Sequence, residues 1–258
     1  MNFVFNIAVY SQTSNAIRDT IVTLMKEMNF DLANKKLVVQ ILHSSPKDIL
    51  DKGLMLRNFV VSPNKNNWCV VYPSTGWVSE MQGFSRQLSG QLQCVTLLIL
   101  QDDSAGWGYE LSNNGHTIDL FHTLPLESTS FQEKQEELSE LGMAVDNSEV
   151  HLADYTGNPV QIAELFNVDQ ARVSNHLSKS RDKPGIRSHF EMGELLYDVL
   201  GIDKWGWAYD DVRDKQENTE GWHHLVFVRQ MTQSEKGWRE QPRNQFSYIS
   251  PPLWLNEL

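Results

Sequence analysis

The sequence contains only two cysteines, Cys69 and Cys94, and each lies within an apolar run typical of a buried strand. No positive charge precedes the short apolar run at the N-terminus, and Asn6 interrupts that run. This pattern favours a β-strand over a signal peptide. Together these features predict two buried free thiols in a protein of a reducing compartment, the cytoplasm.

Long apolar runs and an excess of basic residues are also missing. No run approaches the roughly 18 apolar residues that a membrane helix requires, so we expect no membrane association. The formal net charge of −11 argues against general adhesion to nucleic acid or anionic lipid, and it suits a basic partner. Hydrophobic residues make up 40% of the chain, which predicts a folded protein with a substantial core.

The common catalytic and metal-binding motifs do not occur, among them H-E-x-x-H, C-x-x-C, the P-loop, G-x-G-x-x-G and G-x-S-x-G. His223 and His224 are adjacent in a strand-like run, so their side chains point to opposite faces and cannot share an ion. We therefore predict no catalytic residue, no metal site and no cofactor.

The alternative is an unfamiliar enzyme, which needs a cleft with convergent polar groups. The candidate groups for such a cleft are His151, Asp154, His176, His189 and His223.

Strand-like and helix-like segments alternate along the chain. FVFNIAVYS precedes a helical pattern, NAIRDTIVTLMKEM, and WGYEL and HTIDLF alternate across SNNG as a hairpin. The order is β-α-β units followed by a β-α-β-β-β meander. It predicts an α+β fold, with an antiparallel meander sheet covered by helices, a helical hairpin, and a small C-terminal strand pair formed by WGWAYDDV and HHLVFVRQ.

A polar, Glu-rich stretch divides the sequence near its middle. We predict an α+β domain over residues 1–125 and a polar connector over 126–157. The remainder, 158–258, is predicted to hold the helical hairpin and a small α+β portion. These boundaries rest on the change in composition around ESTSFQEKQEELSEL.

Aromatic residues are the best lead to a binding surface, because the chain carries eight tryptophans. Trp107 and Tyr109 alternate along one strand-like run, and the same spacing recurs further along the chain in Trp205, Trp207 and Tyr209. Aromatics at a spacing of two form either a core layer or an exposed face for a partner. The five residues are therefore candidates for a protein-binding site.

Several motifs follow one another over roughly residues 67–228, namely WCVVYP, the WGYEL–NNG–HTIDLF hairpin, GNPVQIAELFNV, and HFEMGELLYDVLG with WGWAY. In this order they resemble a family of uncharacterised bacterial α+β proteins. These motifs are turns, helix caps and core positions, so the resemblance implies a fold. It implies no catalytic residues.

Residues 159–178, which include most of the segment QIAELFNVDQARVSNHLSKS (161–180), resemble the helix-turn-helix of transcription regulators. Asn167 stands at the turn position that glycine usually holds, and asparagine tolerates the left-handed conformation required there. The resemblance implies a second helix that could contact DNA. The residues implied are Gln170, Arg172, Asn175, His176 and Lys179, of which Gln170 lies off the face shared by the others.

A structural helical hairpin explains the same segment. Five Lys or Arg against three acids between residues 157 and 190 is a mild excess, whereas specific DNA readers carry a strongly basic face. We therefore predict a non-catalytic cytoplasmic protein, of a regulatory or immunity type, that binds a protein partner. The second prediction is a DNA-binding regulator. Under the first prediction, the partner is not expected to be a nucleic acid.

Overall fold

The computed structural model describes most of the chain between residues 3 and 240. The described residues are 3–34, 36–38, 51–74, 78–102, 106–123, 155–182, 186–203, 206, 208–209, 212 and 220–240. The predicted connector, 126–157, lies outside them except for residues 155–157.

The described residues form eight strands and seven helices. The strands are β1 (Phe3–Tyr10), β2 (Asp31–Leu32), β3 (Leu54–Val61), β4 (Trp68–Pro73), β5 (Val95–Asp102), β6 (Gly106–Asn113), β7 (His116–His122) and β8 (His223–Gln230). The helices are α1 (Ser14–Glu27), α2 (Val78–Leu92), α3 (Pro159–Phe166), α4 (Gln170–Asp182), α5 (Ile186–Gly193), a π-helix (Glu194–Val199) and α6 (Gln233–Glu240).

All eight strands belong to one sheet in the order β2-β8-β3-β4-β1-β5-β6-β7, and every neighbouring pair is antiparallel. The α+β class and the antiparallel sheet covered by helices are thus confirmed. The β5-β6-β7 end is the predicted meander. Elsewhere in the sheet, β3 and the next strand β4 also pair, whereas the β2–β8, β8–β3, β4–β1 and β1–β5 pairs join strands that are distant in sequence.

The C-terminal strand HHLVFVRQ forms, but its neighbours differ from those predicted. It is β8, which lies between β2 and β3 and pairs with β3 from Leu54↔Gln230 to Val61↔His223. Its predicted partner, WGWAYDDV, contains a helical turn where it is described, since Val212 N donates to Ala208 O at 3.2 Å. The small C-terminal strand pair is therefore corrected to one strand of the main sheet.

Helices cover both faces of the sheet. Alternate residues along β1 show the division, because Ile7 and Val9 pack with α1 and α2 on one face, whereas Ala8 packs with α3, α4, α5 and the π-helix on the other. Period-two alternation in a strand produces this separation. Every residue of β4 is buried, as expected for a strand covered on both sides.

The tight turn of the β6–β7 hairpin follows from two residues. Asn114 and Gly115 have φ values of 50° and 86°, the two positive values that a type I′ turn requires. This turn was predicted from the sequence and is confirmed. Gly115 also lies against Gly90 of α2, where an added Cβ would meet the Gly90 Cα at 3.3 Å.

Both cysteines are buried and free, as predicted. Burial raises the pKa of the Cys69 thiol and of the Cys94 thiol to about 11, so both are protonated at neutral pH. Within the described part of the chain, no helix has the length and apolar character needed to cross a membrane.

Candidate functional site

The helical layer formed by α3, α4, α5 and the π-helix begins at a helix cap that is bound to the sheet. The Asn158 side chain accepts a hydrogen bond from Gln161 N, and Pro159 is the first residue of α3. Asn158 N in turn donates to the buried carboxylate of Asp119 at 2.9 Å, and Tyr109 donates to the same carboxylate at 2.7 Å. Burial raises the pKa of Asp119, although these hydrogen bonds oppose the shift. The start of α3 is therefore fixed to β7.

The turn between α3 and α4 contains a left-handed asparagine and a capping aspartate. Asn167 is left-handed, with φ 52° and ψ 50°, and Val168 N donates to Ala163 O at 3.1 Å. The Asp169 carboxylate accepts from Ala171 N at 2.7 Å and from Arg172 N at 3.2 Å, which caps α4. The predicted turn and both predicted helices are present.

Apolar side chains of the hairpin face the sheet. Ile162, Phe166, Val173 and Leu177 are buried in one cluster with side chains of β1, β4, β5 and β6. The Phe166 ring lies 5.0 Å from the ring of Trp68, centroid to centroid. The same residues thus hold the two helices together and hold both onto the sheet.

Two tryptophans of the sheet donate hydrogen bonds to this helical layer. Trp107 Nε1 donates to Ser180 Oγ of α4 at 3.2 Å, and Trp68 Nε1 donates to Leu200 O, after the π-helix, at 2.8 Å. Both indoles are buried. They therefore fix the far end of α4 and the end of the π-helix against the sheet.

The predicted aromatic residues do not form an exposed face where they are described. Trp107 and Tyr109 are buried beneath the helical layer, which corresponds to the core layer that their spacing also allowed. Tyr209 is buried, and its hydroxyl hydrogen-bonds to His224 Nε2 at 2.6 Å. Trp205 and Trp207 lie outside the described residues.

Four of the five residues implied by the helix-turn-helix resemblance are exposed on α4, namely Gln170, Arg172, Asn175 and Lys179. His176 is 6% exposed and turns towards α5. The predicted set is therefore divided, with four residues on the surface and one between helices.

His176 belongs to a cluster with two carboxylates that sequence reasoning missed. Its Nδ1 lies 2.7 Å from Glu191 Oε2 of α5 and 3.6 Å from Glu194 Oε2, at the first residue of the π-helix. Lys179 Nζ is 3.9 Å from the other oxygen of Glu191. The sequence contains one signal of this cluster, because Glu191 and Glu194 are three residues apart in E-M-G-E. That interval places two carboxylates on one side of a helix.

Two large aromatic side chains are exposed on the same helical segment. Phe190 of α5 is 71% exposed and Tyr197 of the π-helix is 55% exposed. Glu194 lies between them in sequence and is exposed as well, whereas the next two residues, Leu195 and Leu196, are buried. Asp198 is also exposed. We call this set of Phe190, Glu191, Glu194, Tyr197 and Asp198 the acidic aromatic face.

The described histidines of the enzyme alternative contact different groups. His176 contacts the two glutamates of α5 and the π-helix, whereas His189 Nε2 lies 3.3 Å from Gly106 O at the start of β6. His223 is on β8, where burial and then Arg18 lower its pKa. His151 and Asp154 lie outside the described residues. The described histidines therefore support no shared catalytic centre.

The fold and the candidate site together define an α+β protein with one helix-covered antiparallel sheet. Comparison of the chain with protein-family models, with curated proteins and with solved structures finds no match. The resemblances drawn from the sequence therefore stay predictions.

Proposed function

We propose that this chain binds a basic protein partner through the acidic aromatic face. The observation that carries the proposal is the exposure of Phe190 and Tyr197 on one helical segment together with three carboxylates, Glu191, Glu194 and Asp198. Aromatic side chains are frequent anchors at protein interfaces, where they fill pockets of the partner. Carboxylates around such anchors favour a positively charged partner and speed its approach.

The attachment of the face to the sheet supports the same function. Leu195 and Leu196 are buried in the core on the opposite side of the segment, and the hydrogen bond from Trp68 fixes its end. Gly201 has φ 74° and ends the helical segment there. A face held in one arrangement loses little conformational entropy on binding, so more of the contact energy is available for affinity.

The net charge of the chain adds a long-range contribution. With a formal charge of −11, the protein attracts basic partners and repels nucleic acid and other acidic surfaces at low ionic strength. We therefore expect binding that weakens as salt is raised and that depends on the two aromatic side chains.

The double variant Phe190→Ser/Tyr197→Ser is expected to lose partner binding while keeping its fold, because both side chains are exposed. Truncation of an interface anchor costs about 2 kcal/mol, which is about 30-fold in Kd for each anchor. The measurement is quantitative capture of proteins by tagged protein at native expression, wild type against variant. Captured proteins should be basic and should be lost with the variant.

The matched control is Val160→Ser, which changes a side chain of α3 that is 44% exposed and outside the acidic aromatic face. We expect this control to capture the same proteins as the wild type. Equal capture by the wild type, the double variant and the control would contradict the proposal, as would capture of acidic proteins alone.

The second candidate function is DNA binding by α4. The observation that favours it is the exposure of Gln170, Arg172, Asn175 and Lys179 on a helix that follows a left-handed turn at Asn167. Asp169 at the start of the same helix and the negative charge of the chain act against it, because both repel phosphates.

Binding to random duplex DNA at low salt is expected to be undetectable in a mobility-shift assay. Arg172→Ala should leave the fold intact, because the Arg172 side chain is exposed. A salt-sensitive shift with the wild type that disappears in Arg172→Ala would make DNA binding the function. Circular dichroism of the variant separates a lost contact from a lost fold.

A further inference from the structure

We propose that His176, Glu191 and Glu194 form a binding site for a divalent transition-metal ion of the Zn²⁺ type. One nitrogen and two carboxylate oxygens are supplied by α4, α5 and the π-helix, and the three candidate ligand atoms lie within 4.8 Å of one another. This site does not depend on the proposed protein partner, although Glu191 and Glu194 also belong to the acidic aromatic face.

The distances suit a metal ion of this size. Zn–N and Zn–O bonds of about 2.0–2.2 Å place tetrahedral ligand atoms about 3.3 Å apart. His176 Nδ1 is 2.7 Å from one carboxylate oxygen and 3.6 Å from the other, values on either side of that spacing, and all three candidate ligand atoms lie within 4.8 Å of one another. Three protein ligands leave a fourth position for water or for a group from another molecule.

The charge of the cluster also favours a divalent ion. A neutral imidazole has at most one N–H at Nδ1, so it donates well to only one of the two carboxylates. A histidine binds a metal ion in its neutral form, so the two carboxylates would place a charge of −2 beside the ion. Lys179 offsets that charge only in part, because its ammonium is 3.9 Å from Glu191 and its side chain is 51% exposed. A divalent cation would offset the charge of both carboxylates together.

The ligand types select the class of ion. Imidazole nitrogen suits Zn²⁺, Co²⁺ and other transition metals, whereas Mg²⁺ and Ca²⁺ prefer oxygen ligands alone. The His176 side chain is 8% exposed, so its approach to the ion is fixed by packing. Glu194 is the first residue of a π-helix, a rare conformation that often occurs at functional sites.

The site is tested with Zn²⁺ alone by titration calorimetry, and with Co²⁺ by its visible absorption, on the full chain. We expect one equivalent of Zn²⁺ to bind the wild type, and Glu194→Gln to weaken binding. The Glu194 side chain is 59% exposed, so this variant should fold. Loss of a residue that only hydrogen-bonds to a metal ligand lowers metal affinity about 10–100-fold. Loss of the ligand itself should therefore lower the affinity at least tenfold.

Two further variants complete the experiment. Glu164→Gln changes an exposed carboxylate on α3 and is expected to bind Zn²⁺ as tightly as the wild type. Lys179→Gln removes the competing ammonium and is expected to bind more tightly. Equal Zn²⁺ affinity in the wild type and Glu194→Gln would overturn the proposal, as would no binding by the wild type. Either result would leave the cluster as a hydrogen-bonded ion pair only.

Discussion

Replacement of Glu235 by glutamine is expected to lower the free energy of unfolding by about 3–5 kcal/mol, because it leaves a buried arginine without its counter-charge. The Glu235 side chain is 0% exposed and that of Arg229 is 7% exposed. Arg229 Nη1 donates to Glu235 Oε2 at 2.8 Å, and Nη2 donates to the other oxygen. Urea-induced unfolding of the wild type and the variant measures the loss.

Glutamine separates the charge of Glu235 from its role in the helix cap. Glu235 Oε2 also accepts from Thr232 N at 2.8 Å, and Thr232 Oγ1 accepts from Glu235 N at 3.3 Å, which is a capping box at the start of α6. The amide oxygen of glutamine retains an acceptor for Thr232 N but carries no charge for Arg229. The double variant Arg229→Met/Glu235→Gln removes the unpaired charge and is expected to recover most of the loss. A single variant as stable as the wild type would contradict this account.

The pH dependence of unfolding gives an independent readout of the same pair. Burial alone would raise the pKa of Glu235, but hydrogen bonds from Arg229 and Thr232 outweigh it and hold that pKa below the ordinary value of 4.5. A carboxylate with a lowered folded pKa stabilises the protein above its unfolded pKa, and this stabilisation is lost as pH falls through the folded pKa. The wild type should therefore lose stability below pH 4.5 more steeply than Glu235→Gln.

The features predicted correctly from the sequence are those fixed by neighbouring residues. The Asn114–Gly115 turn needs two positive φ values, and the α3–α4 hairpin needs a cap at Asn158 and a left-handed residue at Asn167. Each requirement is met by residues within a few positions of one another, so the sequence reveals it directly. The overall antiparallel character of the meander follows from the same short connections.

The features that were missed depend on contacts between distant segments. The position of β8 between β2 and β3 joins residues 54–61 to residues 223–230, and no local pattern specifies that pairing. The cluster of His176 with Glu191 and Glu194 exists only because α4 packs beside α5 and the π-helix. Exposure of Phe190 was equally hidden, because an apolar residue in a helical pattern is expected to face the core.

The burial of Trp107 illustrates the same limit. Aromatics at a spacing of two indicate that Trp107 and Tyr109 share one face of β6, but the spacing does not reveal what covers that face. The cover is the helical layer that includes α4, more than 60 residues further along the chain. Its contact with Trp107 is specific, because the indole N–H donates to Ser180 of α4.

Trp107→Ala is expected to lower the free energy of unfolding by about 3–5 kcal/mol, the usual cost of truncating a buried tryptophan. The Trp107 side chain is 0% exposed, and its ring lies 4.8 Å from the ring of Phe121, centroid to centroid. The variant also removes the donor to Ser180 Oγ, which is buried as well. Thermal and urea-induced unfolding measure the loss, and a change below about 1 kcal/mol would contradict the packing described here.

Trp107→Phe serves as the matched variant, because it keeps an aromatic ring in the core and removes only the indole N–H and part of the volume. We expect a smaller loss of stability than with alanine.

Hydrogen exchange shows which elements of the fold are destabilised in each variant. Because Trp107 joins β6 to α4, amides of α4 and α5 should lose protection in Trp107→Ala before those of α1 and α2, which pack on the other face of the sheet. Glu191 of α5 would then be less well fixed beside His176, so Trp107→Ala should weaken Zn²⁺ binding without altering any proposed ligand.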